Sequence, residues 1–138
     1  MWFTEEAGNN IGRYSSGTIT EFPVPTSASA PEQIASGPDG NLWFTEALAS
    51  KIGRITTSGT VTEFALPELT SLEGIAAGPD GALYFAETGA QKIGRITTTG
   101  AITEFPLSKA GNPSIITQGP DGAMWFAAPY ANAIVRMQ

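Results

Sequence analysis

Histidine is absent from this sequence, and so is cysteine. The first absence removes the side chain that titrates nearest neutrality, and with it every Ser-His-Asp arrangement and every imidazole metal ligand. The second excludes disulfide staples, thiolate zinc clusters and cysteine nucleophiles, and leaves the redox compartment undecided. Positive charge is scarce: 7 Lys plus Arg stand against 13 Asp plus Glu, a net charge of −6 with no basic run, which argues against a nucleic-acid partner. No apolar run reaches the length of a membrane span, and no charged segment followed by an apolar stretch opens the chain. A soluble protein with no membrane partner is expected, in a compartment the sequence does not name. There is also no helical period and no glycine-rich phosphate loop leading into a helix.

What is present is a repeat. Gly37-Pro38-Asp39-Gly40-Asn41-Leu42-Trp43-Phe44-Thr45-Glu46 recurs as Gly78-Pro79-Asp80-Gly81-Ala82-Leu83-Tyr84-Phe85-Ala86-Glu87 and as Gly119-Pro120-Asp121-Gly122-Ala123-Met124-Trp125-Phe126, while Trp2-Phe3-Thr4-Glu5 is a copy without its turn. The lead aromatics fall at 2, 43, 84 and 125, a period of 41. A period of that size makes the repeat, rather than a unique core, the unit of folding.

The second copy is complete and serves as a template. Ile34 to Ser36 reads as a short strand of mostly small residues. In Gly37-Pro38-Asp39-Gly40, Pro presets φ, Asp tolerates the next position and Gly takes the positive φ that closes the turn. Asn41 to Glu46 is a second strand, with Leu42 and Phe44 on one face and Trp43 and Thr45 on the other. Ala47 to Ser50 is a loop, Lys51 to Thr56 a third strand, and Thr60 to Phe64 a fourth after the turn Thr57-Ser58-Gly59. A hairpin between the second and third strands sets Thr45 opposite Ile52, Phe44 opposite Gly53 and Trp43 opposite Arg54. The same 11-residue offset joins Trp2 to Arg13, Tyr84 to Arg95 and Trp125 to Arg136. Each pair is expected to stack a guanidinium on an aromatic face and to hold the sheet together, and the Gly opposite Phe leaves that ring a place to lie. Asp39, Asp80 and Asp121 are assigned the turn role alone. The first copy departs from the period in a compensated way. Its turn Ser15-Ser16-Gly17 is one residue shorter than its counterparts, and the loop from Phe22 to Ile34 is one residue longer. Loops vary while strands hold, as packing requires.

Four-stranded repeats of this length, each led by a Gly-Pro-Asp-Gly turn, make an all-β chain, a β-propeller of four-stranded antiparallel blades. With strands labelled A to D from the axis outward, residues 1–25 supply BCD of a first blade, 31–67 a second blade, 72–107 a third, and 113–138 ABC of a fourth. That is about three and a half blades per chain, with residue 1 falling inside a blade. An open arc leaves blade faces and strand edges wet, so the partner expected is the chain itself, as a homodimer. The strand count does not close neatly, because a C-terminal ABC would meet an N-terminal BCD. Merged junctions would give six blades, split junctions eight, and one of each an asymmetric seven, the last favoured mildly by the small strand A residues.

Trp43-Phe44-Thr45-Glu46, Lys51-Ile52-Gly53-Arg54-Ile55-Thr56 and Thr62-Glu63-Phe64 together resemble the repeat of the virginiamycin B lyase (streptogramin lyase) family of seven-bladed propellers, and the resemblance runs over essentially the whole chain. It implies a ring of seven blades, which at this period needs about 290 residues, roughly twice this chain, and which adds to the small strand A residues in favouring seven. The resemblance also implies a lyase that opens the macrocycle of type B streptogramins by metal-assisted elimination, with Mg²⁺ and a histidine base. The family's histidine slot follows a Pro just before strand A. Here it holds Glu32 after Pro31, Glu73 after Leu72 and Ser114 after Pro113. The family's carboxylate beside the metal lies just beyond the aromatic strand, where this chain has Glu6, Ala47, Thr88 and Pro129. Glu32 or Glu73 would replace a histidine base only with a pKa raised substantially by burial.

Glu32, Glu73, Ser114 and Glu6 are therefore the candidate ligand-binding residues, with no catalytic residue and no metal site assigned. Glu5, Glu46 and Glu87 share one blade position, but Ala128 breaks the series and repetition in successive blades marks a structural role. The expectation is a propeller fragment or engineered half-propeller that is not an enzyme, self-assembles into a closed ring, names no ligand and takes no cofactor, Mg²⁺ entering only if lyase activity is retained. The alternative is a lyase-like or small-ligand-binding propeller using the central funnel.

Overall fold

The computed structural model describes residues 1–108 and 111–137. Among them, fourteen strands form four antiparallel sheets, each in sequential order. The first sheet holds β1 (Trp2–Glu5), β2 (Asn10–Ser15) and β3 (Thr18–Pro23). The second holds β4 (Pro31–Ser36), β5 (Leu42–Glu46), β6 (Lys51–Ile55) and β7 (Val61–Ala65). The third holds β8 (Leu72–Ala77), β9 (Ala82–Glu87), β10 (Lys92–Thr97) and β11 (Ile102–Pro106). The fourth holds β12 (Ile116–Gln118), β13 (Met124–Ala128) and β14 (Ala133–Met137). The architecture is the all-β propeller that the repeat implies.

Register follows from alternation. Trp43 lies opposite Arg54, Phe44 opposite Gly53 and Thr45 opposite Ile52, and Trp2, Tyr84 and Trp125 face Arg13, Arg95 and Arg136 in the same way. The turn glycines Gly40, Gly81 and Gly122 sit at φ of 77°, 77° and 78°, a region closed to most side chains. Two features differ from the reading of the sequence. The inner strands β4 and β8 start earlier than Ile34 and Ile75, at Pro31 and Leu72, because a bulge in each absorbs the irregular residues between. A single 3₁₀ turn, Pro129–Ala131, also interrupts the all-strand pattern in the fourth sheet, where Pro129 suits its start and left-handed Asn132 ends it.

Both faces of an interior sheet are apolar, and the alternation of one strand serves two neighbours. In the second sheet, Leu42, Phe44 and Ile55 pack with Ile11, Val24 and Phe22 of the first. Trp43, Ile52 and Phe64 on the opposite face pack with Leu72, Ile75, Leu83 and Phe85 of the third. The third sheet repeats the scheme, its Ile93 and Tyr84 meeting Ile116, Met124 and Phe126 of the fourth. Trp43, Phe44, Phe85 and Ile52 are wholly buried as a result.

The glycines opposite Phe are set by volume. A Cβ on Gly53 would fall 2.0 Å from Cζ of Phe44, and one on Gly94 2.0 Å from Cζ of Phe85. Neither ring can retreat, since the next sheet lies behind it. Gly53→Ala and Gly94→Ala are each expected to lower stability by about 1–3 kcal/mol through overpacking, read as a fall in the urea midpoint. An unchanged midpoint in both variants would contradict the packing described.

Candidate functional site

The end of the sheets that carries the loops β1–β2, β5–β6 and β9–β10 also carries the starts of the inner strands, where the candidate residues lie. Glu32 is on β4 and Glu73 on β8, at equivalent positions, and Ser114 lies just before β12. Main-chain atoms hold these starts together between sheets. The hydroxyl of Thr4 donates to the Glu32 carbonyl at 2.8 Å, and that of Thr45 to the Glu73 carbonyl at 2.7 Å. Thr45 also accepts from the amide of Gln33 at 3.2 Å, and the Gln33 side-chain oxygen accepts from the amide of Ile75 at 2.8 Å. Further along, the Ser114 carbonyl accepts from the amide of Gly74 at 3.1 Å, an approach that a side chain on Gly74 would block. The residues that organise this inner ring are thus Thr4, Thr45 and Gln33. Sequence reasoning passed over them because threonine is common in strands. The offset of 41 between Thr4 and Thr45 was the available signal.

The acids of this region influence one another. The Glu32 carboxyl is raised above its ordinary value, first by partial burial and then by the negative charges of Glu73 and Glu6. The side chains of Glu32 and Glu6 are exposed and that of Glu73 is half-buried, so all three meet solvent. Among the described residues no three His, Cys, Asp or Glu side chains lie close enough together to hold a metal ion. Of the positions just beyond the aromatic strand, only Glu6 is an acid. Among the described residues this donor set does not fit a Mg²⁺ centre.

At the opposite end, the turn aspartates do more than close turns. Asp39 accepts from Trp43 Nε1 at 3.0 Å and from the Asn41 amide at 3.2 Å, and Asp121 accepts from Trp125 Nε1 at 3.0 Å. The guanidinium–aromatic expectation holds in half of the sheets. Arg13 lies 5.5 Å from the Trp2 ring and 5.3 Å from Phe22, and Arg54 lies 5.6 Å from both Trp43 and Phe64. Each also reaches the next sheet, Arg13 donating to the Thr57 carbonyl and Arg54 to that of Thr98. Arg95 and Arg136 instead turn to the aspartate of their own sheet, Asp80 and Asp121, each at 2.7 Å. Hydrogen bonds from Trp125 and then Arg136 bring the Asp121 carboxyl down to about 2.

The recurring glutamates prove to be the most unusual polar groups in the molecule. Glu5 is half-buried, with Asn10 near it at 3.4 Å. Glu46 and Glu87 have no exposed surface, and neither oxygen of either carboxyl has a hydrogen-bond partner. The neighbouring lysines are engaged elsewhere: Lys51 with Glu63 at 2.9 Å, and Lys92 with Glu104 at 2.8 Å and Glu68 at 3.0 Å.

Because the acids near the funnel do not converge, millimolar Mg²⁺ is expected to leave the melting temperature unchanged. A site filled at a hundred times its Kd would add about 2.7 kcal/mol and raise the transition visibly. A rise with Mg²⁺ that is reversed by chelator would show a site that this geometry lacks.

The chain matches the virginiamycin B lyase family model over residues 1–138. Among solved structures, selenomethionine-substituted virginiamycin B lyase from Staphylococcus aureus is 46% identical with a TM-score of 0.96, the match covering 99% of this chain and 48% of that one. A catalytically inactive histidine-to-alanine variant of that lyase with quinupristin matches with the same values. A streptogramin B lyase structure is 45% identical at a TM-score of 0.87, covering 92% of this chain and 44% of that one. A calcium-binding protein, regucalcin, from Agrobacterium tumefaciens, is 19% identical with a TM-score of 0.65 over 89% of this chain and 46% of that one, and shares the fold alone. A search of the curated proteins finds no match. The chain therefore spans under half the length of the lyases it matches. A family match over all 138 residues, carried by four propeller sheets that superpose on the solved lyase, places this chain in the virginiamycin B lyase family.

Proposed function

We propose that this chain is a non-catalytic half-propeller that closes a ring by packing against a second copy of itself. The observation that carries the reading is the contrast between interior and terminal sheet faces. Trp43 is wholly buried because the third sheet covers it. Trp125 stands at the same position in the fourth sheet, beside a 260 Å³ apolar hollow lined by Ile115, Thr117, Phe126, Ala127 and Ile134. Ile115 and Ile134 are 63% and 69% exposed. On the far side of the first sheet, Tyr14 and Ile19, cross-strand neighbours, are 44% and 57% exposed.

These two surfaces are the mates of an interior junction. In each such junction the Trp face of one sheet meets the Phe face of the next, and here the unmatched Trp face ends the arc while the unmatched Phe face begins it. Head-to-tail packing of two chains satisfies both at once, with two equal junctions related by a two-fold axis and eight sheets in the ring. The glycine turns agree. The Phe22 ring lies against Gly59 and the Phe64 ring against Gly100, whereas the corresponding Gly17 has nothing within 4 Å of the place a Cβ would take.

What supports the non-catalytic part of the reading is the set of residues in the slots. With Glu32, Glu73 and Ser114 where the family places histidine, no group near the funnel supplies a base titrating near neutrality by its nature. A second reading is favoured by one observation, the raised Glu32 carboxyl beside Glu73 and Glu6: a lyase-like or small-ligand-binding propeller in which acids serve in the funnel.

Light scattering on the purified chain at micromolar concentration is expected to give the mass of a dimer, and Ile134→Asp or Ile19→Asp to give a monomer. A monodisperse monomer for the unmodified chain would overturn the assembly. Incubation with a type B streptogramin and Mg²⁺ is expected to leave the macrocycle intact. Ring opening abolished by Glu73→Gln would establish the second reading in its place.

A further inference from the structure

Glu46 and Glu87 sit at the ends of β5 and β9, each beneath a loop that joins two sheets. Over Glu46 lies the segment 24–30. It is tied down by the Ala47 amide to the Ala30 carbonyl and the Leu48 amide to the Ser29 carbonyl, both at 3.0 Å, and by Thr26, whose amide and hydroxyl donate to Glu63 at 2.9 Å. Ser29 faces the carboxyl and draws it down somewhat, while its hydroxyl donates to Asn9 Oδ1 at 3.0 Å. Over Glu87 lies the segment 66–71, held by Glu68 to Lys92 and by the Leu66 amide to the Ser50 carbonyl at 3.0 Å. The charged groups facing Glu46 are Lys51 from β6 and Glu63 from β7; those facing Glu87 are Lys92 from β10, Glu104 from β11 and Glu68 from the loop. In both clusters the lysine is already paired to a different carboxylate. A buried carboxylate with neither oxygen hydrogen-bonded is far more costly than the neutral acid.

We infer that Glu46 and Glu87 are a matched pair of proton-operated clamps, each letting the loop between two sheets close tightly when its carboxyl is uncharged and loosening it when ionised. Both lie at junctions within one chain, so the inference does not rest on ring closure. Where the fourth sheet has Ala128 in place of the glutamate it also has Ala133 in place of the lysine, and in the first sheet the half-buried Glu5 is matched by Asn10.

Burial first, then the charge of Glu63 and the approach of its carboxylate to the protonated acid, raises the Glu46 carboxyl to about 7 against the opposing pull of Lys51 and of the Ser29 hydroxyl. Burial first, then Glu104, raises Glu87 to about 7 against Lys92. Both folded values stand above the ordinary 4.5, so between about pH 4.5 and 7 the folded chain holds protons that the unfolded chain has released. The stabilising contribution is complete below that window, falls as pH rises through it, and is gone above. No histidine or cysteine titrates in the same range to mask the effect.

The test is urea unfolding at fixed protein concentration from about pH 5.5 to about pH 8.5, where each carboxyl is expected to raise the unfolding constant up to about tenfold per pH unit in the steepest part. Glu46→Gln with Glu87→Gln should flatten the dependence and raise the midpoint at the alkaline end, each single variant should remove part of it, and Glu5→Gln should leave it intact. Amide exchange corrected for intrinsic rate should quicken with pH at 24–30 and 66–71 in the unmodified chain. A flat profile in the unmodified chain, or a slope that survives in the double variant, would overturn the inference. So would uniform exchange across the molecule.

Discussion

Every sheet in this molecule is apolar on both faces, and no sheet of that kind is stable in water alone. A three- or four-stranded sheet with one apolar face folds by covering that face. With two it requires a neighbour on each side, and the neighbour inherits the same requirement. The alternation along β5 states the constraint in five residues: Phe44 faces the first sheet, Trp43 and Thr45 face the third, and the strand is buried from Trp43 to Glu46. The glycines of β6 and β10 belong to the same constraint, because a sheet stacked on both sides has no slack in which to fit both a phenylalanine ring and a Cβ across from it.

Since the faces are committed to packing, polar chemistry is pushed to the two ends of the sheets. At the turn end, the aspartates bind indole and guanidinium groups and tie each turn to its own aromatic strand. At the loop end, threonine hydroxyls and Gln33 tie successive inner strands to one another, and the glutamates at the ends of β5 and β9 are enclosed by the connecting loops. The lyases to which the chain is similar are more than twice as long in matched extent, and this chain has no histidine with which to build an imidazole-based centre. What it shares with those lyases over its own length is the scaffold: strands, turns and the order in which sheets stack.

Much of the scaffold was legible from residue order because it depends on local rules. Period-2 alternation and an 11-residue offset determine the hairpin register, and Pro-Asp-Gly determines the turn, whatever the rest of the chain does. The early start of β4 was not legible, since a bulge compensates Pro31 to Gln33 only once β5 lies beside it. Nor was the left-handed residue closing each loop between the second and third strands. Asn9, Ser50, Gln91 and Asn132 fall 41 apart with φ between 48° and 56°, but their identities differ and only the backbone reveals the repeat.

The candidate site shows the same division. The sequence alone determined that the chain has no histidine, that Glu32, Glu73 and Ser114 stand at the positions where the family resemblance would set one, and that Glu5, Glu46 and Glu87 recur with the repeat. Composition and spacing are properties of the chain and survive unfolding. Only tertiary structure decided that Arg13 and Arg54 reach the next sheet while Arg95 and Arg136 fold back on aspartate, because the choice depends on whether a carbonyl from another sheet is in range. It decided likewise that two of three identical glutamates are enclosed without partners while the third is half-open. Burial belongs to the neighbours a residue acquires, and Glu5 has a sheet on one side where Glu46 and Glu87 have one on each.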